Sequence, residues 1–101
     1  MKTKEWYLTR IYMYGVISTL LALKFFEEQE MYEHCSVIKQ AILAAGFESK
    51  ITDELIDDVV SHHSGIWSKE QVIEANRYYS EVLINEALES YTVLEIPPSN
   101  I

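Results

Sequence analysis

Two pairs of side chains in this sequence have spacing that could hold a metal. Glu30 and His34 lie four residues apart, as do Asp58 and His62. In helices each pair shares a face, and two such helices side by side would offer four ligands to a divalent ion. The pattern departs from the Glu-x-x-His of di-iron bundles, because Met31, Val59 and Val60 stand three residues before the histidines, and neither His-Glu-x-x-His nor Cys-x-x-Cys occurs. A centre on Glu30, His34, Asp58 and His62 is therefore the secondary expectation, behind solvated carboxylate–histidine pairs, and no cofactor is expected. Nucleophilic chemistry has less support. Cys35 falls on an apolar stripe, where a free cysteine behaves as a small hydrophobe, and the adjacent His34 points about 100° away around the helix. Three scattered glycines form no phosphate loop. The residues predict a protein that is not an enzyme.

Two other groups could bind rather than react. Tyr7, Tyr14, Tyr78 and Tyr79 offer rings for stacking and Arg77 a guanidinium for an anion, which would suit a small ligand or nucleotide held between subunits of a helical oligomer. Asp53, Glu54, Asp57 and Asp58, followed by Glu70, Glu74 and Glu81, could form a negative row. Charge is unevenly placed: residues 1–24 carry four basic side chains against one acidic, and the rest carry four against fifteen, giving −8 in all. So acidic a body repels phosphate backbones and disfavours direct nucleic-acid binding. It predicts a basic protein partner, or solvation alone. In size and charge the chain is similar to bacteriocin immunity proteins and to phage-encoded inhibitors of host defence. That likeness implies an inhibitor or immunity-type partner of a basic, nucleic-acid-handling protein.

The elements that must position these groups read as helices. A chain of 101 residues makes one domain that buries roughly 60 to 65% of its unfolded surface, and its hydrophobic fraction of 49% excludes a disordered chain. One cysteine permits no internal disulfide, which predicts a reducing, cytoplasmic setting. The uncharged run Ile11 to Leu23 has thirteen residues, too few for the about 20 that cross a bilayer. No small-residue cleavage site follows it, so a buried helix is expected rather than a signal or membrane anchor.

That first helix is predicted from Lys4 to Glu28, with Thr3 as N-cap. Its apolar residues cover several faces, so it is expected to be central or shared with a second subunit, which makes a homodimer or larger assembly plausible. Gly15, Ser18, Thr19 and Ala22 form a ridge of small residues that would let a neighbouring helix approach, with Ala41 and Ala45 as possible partners. The second helix, Tyr32 to Ala45, carries the stripe Met31, Cys35, Ile38, Ile42 and Ala45, and Gly46 ends it. Its residues "EMYEHCSVIKQAI" resemble the helical hairpin of the UVR domain of nucleotide-excision repair proteins at Tyr32, Glu33, Cys35, Ser36, Ile38, Lys39 and Ile42. Gln40 stands where that motif has aspartate. The resemblance covers about a fifth of the chain and implies a protein-interaction module.

Thr52 is the predicted N-cap of the third helix, with Leu55, Ile56, Val59, Val60 and His63 inward. Gly65 would end it, folding Ile66 back on Val60. Ser68 with Gln71 has capping-box spacing and Trp67 with Val72 that of a hydrophobic staple. The fourth helix, Lys69 to about Tyr91, has Val72, Asn76, Tyr79, Leu83 and Ala87 on its inner line. Pro97 and Pro98 forbid further helix, so residues 92–101 are expected to be an extended tail beyond a single helical domain of residues 1–91. The predicted architecture is all-α, a compact four-helix bundle.

Overall fold

Thr3 opens the first helix as predicted, its hydroxyl accepting the Trp6 N–H at 3.1 Å. A computed structural model of the chain describes residues 1–48, 51–63 and 65–89, with His63 by backbone alone. The inward placing of His63, the helical assignment of Ser90 and Tyr91, and the extended tail lie outside the described residues. Among the described residues five helices form: α1 Lys4–Tyr14, α2 Val16–Glu28, α3 Tyr32–Ala44, α4 Thr52–His63 and α5 Lys69–Leu88. The all-α reading holds, and the count of four is corrected to five because the long first helix divides at Gly15.

Gly15 has φ 94° and ψ 157°, a region open essentially to glycine alone. Its N–H donates to the Ile11 carbonyl at 2.9 Å, and its carbonyl accepts from the Thr19 N–H at 3.3 Å and the Thr19 hydroxyl at 3.1 Å. Both helix ends therefore find partners at the break. The sequence permits either outcome, since glycine inside a helix costs only about 1 kcal/mol relative to alanine.

Two further joints close in the same manner. Gly46, at φ 99°, follows α3, with its own N–H on Leu43 and the Phe47 N–H on the Ile42 carbonyl. This is the Schellman arrangement, which the sequence predicts at Gly65 instead. Glu30 takes the equivalent place after α2 at φ 58°, with Met31 N–H on the Phe26 carbonyl at 2.9 Å. Gly65 is left-handed too, but Ile66 is 94% exposed and so does not fold back on Val60. Trp67 is 59% exposed. Of the stop and start signals there, the Ser68–Gln71 capping box is the one that forms in full, with both bonds made.

Thr52 is also corrected. It is the first helical residue of α4, and its hydroxyl donates to Glu27 Oε2 of α2 at 2.8 Å instead of capping its own helix. The expectation of a central helix falls to α2, which touches all four others and packs most extensively on α5. Leu20, Ala22, Leu23 and Phe26 of α2 are buried with Tyr7 and Ile11 of α1, Cys35, Ile38 and Ile42 of α3, and Leu55, Ile56, Val59 and Val60 of α4. On α5, Leu83 and Ala87 are inside as predicted, whereas Tyr79 is 46% exposed and Ser80 is buried in its place. Small residues line this contact: Ser18 of α2 is fully buried and donates to Asn76 Oδ1 at 3.0 Å, while Asn76 Nδ2 donates to the Val72 carbonyl at 2.8 Å. Asn76 thus bonds α5 to α2. Among the described residues there is no strand, and no helix is long and apolar enough to cross a membrane.

Candidate functional site

The four residues of the metal pattern are held by other bonds. The Tyr7 hydroxyl, on a fully buried side chain, hydrogen-bonds with His34 Nδ1 at 3.1 Å, and the His34 ring stacks on Phe26 with centroids 4.6 Å apart. Burial, then the N-terminal ammonium, lowers the His34 pKa against the opposing pull of Glu33, which keeps the ring neutral and able to accept. Burial, and then Cys35, pushes the Tyr7 hydroxyl up to about 12. Burial likewise pushes the Cys35 thiol up, which holds it in its unreactive form. Glu30 occupies the turn after α2, and the His62 Nδ1–H donates to the Asp58 carbonyl at 2.8 Å. Among the described residues no three histidine, cysteine or carboxylate groups converge as metal ligands.

The aromatic set divides. Tyr14 and Tyr79 stack on each other at 5.7 Å and Tyr78 meets Tyr79 edge-on at 5.3 Å, while Tyr7 lies apart in the core. The Tyr14 hydroxyl donates to Glu86, which also pairs with Arg10 at 3.4 Å. Desolvation, then Glu86, raises the Tyr14 pKa. Rings that face one another beside a carboxylate suit a helix contact between α1 and α5 better than a phosphate. Arg77 pairs with Glu74 at 3.0 Å.

The acidic row is less uniformly negative than the sequence suggests. Asp53 pairs with Lys24 at 3.0 Å, Asp57 with Lys69, and Glu74 with Arg77. Hydrogen bonding to Asp57 raises the Lys69 pKa. Glu54, Glu70 and Glu81 are exposed and form no ion pair among the described residues.

These charges border a cleft. Helices α4 and α5 each pack more extensively on α2 than on one another, which leaves a trough of about 380 Å³ between them with α2 as its floor. Leu21 and Phe25 of α2, Ile56 of α4, and Ile73 and Ile84 of α5 contribute the apolar part of a lining that is otherwise polar and charged. Lys24–Asp53 ties α2 to α4 at its edge, and Lys69–Asp57 ties α5 to α4. Glu28 and Glu81 also line it and have no cationic partner among the described residues. Asp53, Arg77 and Glu81 from the sequence reading are therefore brought together, and Asp57 reaches the same edge through Lys69.

Leu21, Phe25, Glu28, Ile73 and Ile84 were not singled out as site residues by the sequence, and Ile56 was read as an inward core residue. One signal pointed to part of them: Lys69, Ile73, Arg77, Ser80 and Ile84 recur at helical spacing, a second stripe beside the inner line of α5. No known protein family, curated protein or solved structure matches this chain.

Proposed function

We propose that this chain is a protein-binding module without chemistry of its own, and that the α4–α5 side meets a basic segment of a partner. The observation that carries this reading is the cleft, where five apolar side chains lie beside Glu28 and Glu81, two carboxylates with no cation of their own among the described residues. Apolar contact supplies affinity and unpaired charge selects the sign of the partner. Glu54 and Glu70, exposed on α4 and α5, add the same sign to these two helices. The small size and the net charge of −8 support the most specific form of this reading, an inhibitor or immunity-type partner of a basic, nucleic-acid-handling protein.

The test compares the proteins retained from host extract by the wild-type chain and by a Glu28→Lys, Glu81→Lys double variant, at low and high salt. Retained basic proteins are expected to fall away at high salt and in the variant. Equal retention of the same proteins by both chains would sink the proposal.

A further inference from the structure

We infer that the trough between α4 and α5 receives an amphipathic, basic α-helix from the partner; this deepens the functional reading above and rests on it. The shape of the trough is the first reason. Its walls are two helices whose backbone groups are already bonded within the helices, so they offer no sheet edge for an added strand, and a partner must bind through side chains. A volume of about 380 Å³ accommodates roughly a dozen water-sized groups at about 30 Å³ each, which is the side-chain content of about three leucines. Three apolar residues at i, i+4 and i+7 on one helix face would supply them.

Charge is the second reason, and it specifies more than sign. Ser18 of α2 meets Asn76 of α5, whereas Lys24, further along α2, pairs with Asp53 beside Lys69 at the start of α5, so α2 and α5 run in opposite directions. Glu28 and Glu81 consequently lie toward opposite ends of the trough, roughly 22 Å apart along it at about 1.5 Å per residue. A helix of about four turns with leucines on one face and lysines near both ends matches both the lining and these two carboxylates. The inner edge of the trough adds no competing demand, because Lys24, Lys69 and Arg77 are already paired with Asp53, Asp57 and Glu74. A small anionic ligand would find its cations occupied and two carboxylates facing it.

The experiment titrates the full chain into a fluorescein-labelled, four-turn peptide of leucine and lysine with its leucines on one helical face. A permuted peptide of identical composition, with leucines on all faces, serves as the comparison, and anisotropy gives both affinities at low and high salt. The facial peptide is expected to bind about tenfold more tightly. Ile73→Glu should abolish that preference, and Glu28→Lys and Glu81→Lys should each weaken binding; the two charge variants carry the test if Ile73→Glu disturbs the fold by circular dichroism. Equal binding of both peptides, released by salt, overturns the helix-in-trough inference and leaves the basic-partner reading standing. Facial binding that survives all three variants overturns the assignment to this trough. Binding of neither peptide overturns both the inference and the reading beneath it.

Discussion

The half of the molecule that ends at Glu48 and the half that begins at Ile51 solve the same problem differently. In the first, each helix joint is closed by backbone bonds around a left-handed residue, at Gly15, Glu30 and Gly46. A half-buried Tyr7–His34 bond and the Phe26–His34 stack then lock α1, α2 and α3 together. In the second, α4 and α5 lean on α2 more than on each other, their joint exposes Ile66 and Trp67, and their mutual ties include an ion pair at the surface. Surface ion pairs are worth about 0 to 1 kcal/mol, whereas well-packed core side chains are worth several times that. The tighter packing of the fold therefore lies in the first half.

The largest expected effect tests that division directly. Phe26→Ala should cost about 3 to 5 kcal/mol in urea unfolding, since Phe26 is fully buried against His34 and Phe25. Ile73→Ala, a truncation in the lining of the trough, should cost well under half as much; equal costs would erase the contrast between the halves.

The Tyr7–His34 pair should give the first half its pH limits. Tyr7 is raised to about 12 from 10.0, so its contribution is present below pH 10 and is lost as pH rises from 10 toward 12, by on the order of 2 to 3 kcal/mol. His34 is lowered from 6.5, so the unfolded chain binds its proton more readily and stability falls as pH drops below 6.5. Thermal melts across pH should show both losses in the wild type, and Tyr7→Phe should remove the alkaline one. An unchanged alkaline limb in Tyr7→Phe would separate the pair from the pH response.

Gly15→Ala sharpens the account of the joints. A Cβ there meets nothing within 4 Å, so any loss comes from backbone strain alone, and about 1 to 3 kcal/mol is expected. A neutral result would mean that α1 and α2 can rejoin as one helix. Glu30→Gly should act in the opposite sense, stabilising by about 1 kcal/mol, because a non-glycine residue pays for its left-handed conformation there. Last and smallest, Asp57→Asn should shift stability by less than about 1 kcal/mol, since its partner Lys69 is held at the surface. A larger loss would make the α4–α5 edge a structural tie rather than a border of the trough.

Local chemistry made much of the fold legible in the sequence. Thr3 and Ser68 mark helix starts because a hydroxyl reaches the backbone N–H groups of its own first turn, and Gly46 marks a stop because glycine tolerates positive φ. The stripe of Cys35, Ile38 and Ile42 named the inner face of α3 because spacing along a helix fixes direction. The site was legible only in fragments. Asp53, Arg77 and Glu81 were singled out by charge, but the isoleucines beside them looked like ordinary core residues.

What the sequence determined by itself is therefore the helical class, most helix ends and the sign of the charge, all of which depend on neighbours a few residues apart. Tertiary structure decided the rest. The first helix broke at Gly15, Thr52 left its capping position for Glu27, and Ser80 displaced Tyr79 from the interior. The trough exists because α4 and α5 both settle on α2 without closing on each other. Contacts between residues fifty positions apart depend on how whole helices sit, and no spacing rule along the chain encodes that.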